Sequence, residues 1–184
     1  MKTVHPSLII VTGRPGSGKS VLAHKLALSV RCPLISRDEI KEGLIHTVGQ
    51  GAIPERDITR HTYETFFSTV RFLLTERITL IAEAAFQHKV WAPQLEALQA
   101  LAQIRIIVCQ VDAPVAKARF LQRYETDPTR SQFHGDADGW AYDTYMPPDT
   151  AFPTLVVDTS DGYYPDFEAV VAFSSGSAGI RGSE

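Results

Sequence analysis

Apolar runs rich in β-branched residues alternate along this chain with amphipathic stretches of helix length. Leu8-Ile9-Ile10-Val11 is a continuous apolar run closed by a glycine-rich turn at Gly13, the pattern of a strand buried on both faces. Over Ser20–Val30, residues Val21, Leu22, Leu26 and Val30 fall largely on one helical face. "CPLIS" predicts a short second strand. Directly after it, Ser36-Arg37-Asp38-Glu39 spells a capping box, in which the serine hydroxyl accepts from the N–H three residues on and the glutamate reaches back. A long helix is expected over Arg56–Glu76, with Phe66, Val70, Leu73 and Leu74 at spacings of three and four. "ITLIAEAAF" is a third strand, and "APQLEALQALAQ" a helix with Pro93 in its opening turn, where a missing N–H costs little. Ile104–Val111 and Thr154–Thr159 read as the fourth and fifth strands, Val115–Tyr124 and Phe167–Phe173 as helices.

Strands of this kind separated by helices predict an α/β three-layer sandwich around a five-stranded parallel sheet. The segment Asp127–Pro153 breaks the rhythm, being rich in Asp, Gly, Pro and aromatic residues. It is too long for a routine connection and reads as a lid, placed around 119–150. Trp140, Tyr142 and Tyr145 are expected to pack it onto the core. The tail "SSGSAGIRGSE" has almost no apolar content, so disorder is expected over 174–184 and a single domain over 1–173.

Composition narrows the picture. A chain of 184 residues with a formal net charge of −3 fits one domain and argues against a large basic face for nucleic acid. Cys32 and Cys109 have neither metal-ligand nor CxxC spacing and sit in or beside apolar runs, which predicts packed, reduced thiols. The six histidines show no metal spacing, and His134 reads as a loop residue. The first apolar run is too short for a signal peptide and no run reaches membrane-span length, so a cytoplasmic location without a membrane partner is expected.

The strongest chemical signal is "GRPGSGKS", Gly13–Ser20, which matches G-x-x-x-x-G-K-[ST] between an apolar strand and an amphipathic helix. Glycines let consecutive backbone N–H groups wrap phosphates in conformations that a side chain would obstruct. The lysine reaches the β- and γ-phosphates, the serine hydroxyl binds Mg²⁺, and the helix adds its positive end. The candidate nucleotide-binding residues are Gly13, Pro15, Gly16, Ser17, Gly18, Lys19, Ser20 and Val21, with Ser20 on the metal. The expected ligands are ATP and Mg²⁺, on a P-loop NTPase fold.

A P-loop alone suits a motor, a switch or a kinase equally. The other strand ends, which line one crevice in an open parallel sheet, separate these. Asp38 follows the second strand and Glu83 ends the third. Arg119 and Arg123, spaced i, i+4 on one helix face, follow the fourth, with Arg130 where the lid begins. Guanidinium groups there suit the charge of a transferring phosphoryl group. Gln87 and His88 either line an acceptor pocket or cap the next helix.

Together "VTGRPGSGKS", "LISRDEIK", "LIAEAAF" and "VDAPVAKARFLQR" resemble the P-loop kinases grouped as zeta-toxin-like or AAA-33 domains, from about Leu8 to Asp158. Relatives in that group include polynucleotide 5′-kinase, gluconate kinase and chloramphenicol phosphotransferase. The resemblance implies that Asp38 is the general base towards an acceptor hydroxyl and that Lys41, with Arg37 beside it, helps hold the acceptor. It implies phosphate contacts for Arg119 and Arg123, and a loop against the adenine that includes Thr159 and Asp161. Many relatives carry aspartate where this chain has Glu83, which leaves Glu83 open between a magnesium-bound water, an acceptor hydroxyl and a plain ion pair with a basic residue. The expectation is a kinase that phosphorylates a hydroxyl of a small molecule. The alternatives are a polynucleotide 5′-hydroxyl kinase and a nucleotide-dependent switch with no acceptor; a toxin acting on a cell-wall sugar also stays open.

Overall fold

In the computed structural model, residues 5–126 and 145–176 are described. Among them the alternating pattern becomes β1 (Ser7–Gly13), α1 (Lys19–Val30), β2 (Leu34–Ser36), α2 (Arg37–Val48), α3 (Glu55–Thr75), β3 (Leu80–Glu83), α4 (His88–Leu98), β4 (Gln103–Gln110), α5 (Ala113–Thr126), β5 (Thr154–Asp158) and α6 (Phe167–Ser174). The five strands form one parallel sheet in the order β2-β3-β1-β4-β5.

β1 is central, with Leu8 opposite Leu80 of β3 on one side and Ile104 of β4 on the other. Its run of apolar residues resolves by the period of two into two faces. Leu8 and Ile10 pack with Phe66, Val70 and Leu74 of α3 and with Trp91 and Leu95 of α4. Ile9 and Val11 pack with Leu22, Ala23 and Leu26 of α1 and Val170 of α6. Fully burying one such side chain stabilises the fold by roughly 1.5–3 kcal/mol. With Leu8 through Val11 all inaccessible to solvent, β1 is firmly anchored and so fixes the loop at its end. The chain passes to β2 on one side of β1 and later to β4 on the other, so the carboxyl ends of the strands open a crevice beside Gly13.

Four expectations change on folding. Val21 points to solvent at 60% exposure, and the buried face of α1 is Leu22, Ala23 and Leu26. α4 begins at His88, because the buried stripe starts at Trp91 and continues through Leu95 and Leu98. Pro93 therefore lies inside the helix on its exposed side, where the Lys89 carbonyl that it leaves unbonded is also on an exposed residue. Ser174 is buried and ends α6, with its Oγ 2.8 Å from the Val170 carbonyl, so it belongs to the domain and not to the tail. Of the lid segment, 127–144 lies outside the described residues, as do Arg130, His134, Trp140, Tyr142 and 177–184 of the tail.

Candidate active site

The loop between β1 and α1 is held by steric fit. Gly16 has φ 80°, and a Cβ there would collide with the Ala116 carbonyl on α5. Gly18 caps α1 in the left-handed region with φ 78° and no side-chain hydrogen bond, and the first turn of α1 holds no acidic residue. The free N–H groups and positive end of the helix are thus left uncompensated, which is what a phosphate requires. The buried Ser17 Oγ also has no hydrogen-bond partner among the described residues.

An open cleft adjoins this cradle. The loop side contributes Pro15, Gly16, Lys19 and Ser20; α2 contributes Arg37, Asp38 and Lys41; α5 contributes Arg123 and Phe120. Arg37 Nη1 donates to Asp38 Oδ1 at 2.9 Å, which orients the carboxylate beside the cleft. Lys41, 4% exposed, donates through Nζ to Glu55 Oε1 at 2.6 Å across the α2–α3 junction.

Behind the cleft lies Glu83, 1% exposed. Its Oε1 is 3.6 Å from Lys19 Nζ and accepts from Ser20 Oγ at 3.4 Å, while Oε2 accepts from Ser36 Oγ at 2.8 Å. This overturns the capping box. Ser36 is the N-cap residue of α2 but makes no side-chain cap bond. Glu39 lies 2.8 Å from His24 Nε2 on α1 instead of reaching back. A buried carboxylate left without hydrogen-bond donors is costly, and the Ser36 hydroxyl goes to Glu83 instead of capping the helix.

Other side chains singled out by sequence are engaged away from the cleft. Arg119 does not line it; Nη1 and Nη2 donate to the Thr159 and Ser160 carbonyls at 3.0 and 2.7 Å. α5 is therefore tied to the loop after β5, and Arg119 and Arg123 serve different places. Thr159 closes the same corner by donating to the Ser17 carbonyl at 2.7 Å. Asp158, at the start of that loop, accepts from Ser160 N at 2.7 Å, and this bond holds its carboxyl below the usual range. Gln87 Oε1 accepts from Met146 N at 2.7 Å and faces a separate hollow with His88, Lys89 and Met146.

Sequence reasoning missed Thr12 altogether. Its hydroxyl donates to the Ala84 carbonyl at 2.7 Å and so, with its single proton committed, accepts from Trp91 Nε1 at 3.2 Å and from Tyr145 Oη at 2.7 Å. Burial pushes the Tyr145 phenol up to about 12, consistent with a donor that stays protonated. Tyr145 thus does pin the end of the lid segment to the core. Cys109 is buried with its thiol pushed up to about 12 by desolvation, an inert packed thiol as expected.

The chemistry of the site fits Mg²⁺. Ser20 Oγ and the Glu83 carboxylate are hard oxygen donors close to the phosphate cradle, and Mg²⁺ takes one or two such groups plus substrate phosphates in preference to a full protein cage. No cluster of three His, Cys, Asp or Glu among the described residues could hold a metal by itself. Among the described residues, no helix is long and apolar enough to cross a membrane.

Comparison with known proteins agrees with this fold. The AAA_33 family, an AAA domain, matches residues 8–145. By sequence, no curated protein matches the chain significantly. Among solved structures, a candidate kinase from Chloroflexus aurantiacus J-10-fl is similar at TM-score 0.79 and 25% identity, over 95% of this chain and 100% of that one. A gluconokinase from Sinorhizobium meliloti 1021 is similar at TM-score 0.58 and 16% identity, over 95% and 92% of the two chains. A chain of the Pnkp1/Rnl/Hen1 RNA repair complex is similar at TM-score 0.56 and 21% identity, over 68% of this chain and 40% of that one. With its P-loop, its parallel sheet and a family match over most of its length, the chain belongs to the AAA_33 family and has the fold of the P-loop kinases.

Proposed function

We propose that the protein is an ATP-dependent phosphotransferase that moves the γ-phosphate onto a hydroxyl of a small-molecule acceptor. The observation that carries this reading is the single cleft onto which Lys19 and Ser20 of the P-loop, Asp38 of α2 and Arg123 of α5 all open.

The acceptor oxygen attacks the γ-phosphorus, the new O–P bond forms as the bond to the β,γ-bridging oxygen breaks, and ADP leaves. Asp38 takes the hydroxyl proton late in transfer, its carboxylate aimed by Arg37. Lys19 and Arg123 face the charge on the transferring oxygens, and cations preorganised there lower the barrier. Arg37 and Lys41 lie on the acceptor side. Ser20 and Glu83 are the residues that would hold Mg²⁺, which would supply neutralisation of the phosphate charge. Arg119 and Thr159 shape the loop assigned to the base.

The test is labelled ATP with a library of sugars, nucleosides and other hydroxyl compounds, run beside Asp38→Asn. Turnover should fall at least about 100-fold while ADP affinity stays within about threefold, since the carboxylate acts on the hydroxyl and not on the nucleotide. Full turnover in Asp38→Asn would remove the base assignment.

A further inference from the structure

Behind the cleft a part-buried hydrogen-bond path joins the end of β2 to the P-loop, and it starts from a residue whose sequence context gave it another job. Ser36 is the last residue of β2 and immediately precedes Arg37 and Asp38. Its hydroxyl is 2.8 Å from Glu83 Oε2, and both residues are almost wholly buried. The other carboxylate oxygen, Oε1, meets Ser20 Oγ at 3.4 Å and Lys19 Nζ at 3.6 Å. β2 and β3 are paired in register at this point, with Ser36 opposite Glu83, so the bond is set by the sheet and not by a flexible loop.

We infer that Ser36 is a positioning residue for the metal–nucleotide site: by holding Oε2 of Glu83, it aims Oε1 at Ser20 and Lys19. The inference rests on the P-loop being a magnesium–nucleotide site and not on the identity of the acceptor. A carboxylate on a side chain with three rotatable bonds does not keep one orientation unaided. In a buried site an acceptor oxygen without a donor is expensive, so Glu83 that lost Ser36 would turn Oε2 towards Lys19 or Ser20. The Ser20 hydroxyl would then donate to a differently placed oxygen, and its own lone pairs would no longer face the phosphate cradle. Alanine at 36 therefore damages what Mg²⁺ adds to nucleotide binding more than it damages nucleotide binding itself. Threonine, which keeps the hydroxyl, restores it.

The experiment is titration calorimetry of ADP with and without Mg²⁺ on the full chain, for wild type, Ser36→Ala, Ser36→Thr, Glu83→Gln and Ser36→Ala/Glu83→Gln, each checked for its melting temperature. The quantity compared is the gain in ADP affinity that Mg²⁺ confers. Ser36→Ala should lose about tenfold of that gain, the worth of one hydrogen bond to a charged group, with metal-free ADP affinity within about twofold of wild type. Ser36→Thr should keep the gain. In the Glu83→Gln background the alanine should add no further loss, because both changes act on one carboxylate. If Ser36→Ala melts too low to titrate, Ser36→Thr and Ser36→Val, equal in size and differing in the hydroxyl, carry the same comparison. An unchanged Mg²⁺ gain in the alanine or valine variant, an equal loss with and without Mg²⁺, or additive losses in the double variant each overturn the inference. Wild-type protein that binds ADP more tightly with Mg²⁺ yet phosphorylates no hydroxyl compound would instead remove the kinase reading and leave the Ser36 result to stand on its own.

Discussion

His24 draws one partner from its own helix and one from the next. Its Nδ1 is 2.8 Å from the Ser20 carbonyl and its Nε2 2.8 Å from Glu39 Oε1. Both partners are acceptors, so only the doubly protonated ring satisfies both. The bond to the Ser20 carbonyl raises the imidazole above its usual value, against partial burial, and Glu39 with the more distant Glu83 adds to the rise. A raised histidine contributes stability that is complete below its unfolded value and lost as pH rises through its folded value. An NMR titration should therefore place His24 above about 6.5, and Glu39→Gln should bring it down. The melting temperature of wild type relative to His24→Gln should shrink between about pH 6 and pH 8; a difference that grows over that interval would contradict the paired imidazolium. Ser36 and Glu39 spell a capping box as a tetrapeptide; in the fold Ser36 meets Glu83 of β3 and Glu39 meets His24 of α1.

At the scale of elements, α5 separates two arginines that sequence spacing had joined. Positions i and i+4 do share a helix face, yet Arg119 bridges two carbonyls of the loop after β5 while Arg123 reaches the cleft. The fork of a guanidinium spans two acceptors at once and an ammonium does not. Arg119→Lys should therefore weaken ADP binding nearly as much as Arg119→Ala, each by several-fold in calorimetry, although lysine keeps the charge. Retention of wild-type affinity by the lysine variant would show that charge alone matters there. The P-loop was legible because its chemistry is local: eight consecutive residues carry the turn, the helix start, the lysine and the hydroxyl. Thr12 was not legible, since a threonine in an apolar strand looks like filler. Its role appears only when Ala84, Trp91 and Tyr145 arrive around it.

For the molecule as a whole, a formal charge of −3 coexists with a cleft lined by Lys19, Arg37, Lys41 and Arg123 against Asp38. Three of those cations are already paired, Lys19 with Glu83, Arg37 with Asp38 and Lys41 with Glu55, so much of the positive charge at the cleft is balanced. Binding to a single-stranded oligonucleotide with a 5′-hydroxyl should therefore show a shallow dependence on salt, with a slope well below the roughly four expected on a single strand when about six phosphates are neutralised. A steep slope would favour a polynucleotide acceptor. The sequence by itself determined the alternation of strands and helices, the parallel sheet and the phosphate loop, because these depend on periodicity and on residues close along the chain. Only the tertiary structure decided which oxygen of Glu83 meets which hydroxyl, where each arginine goes and that Tyr145 closes on Thr12. Those contacts join residues dozens of positions apart, and the competition of buried polar groups for partners is settled only once the sheet has brought them together.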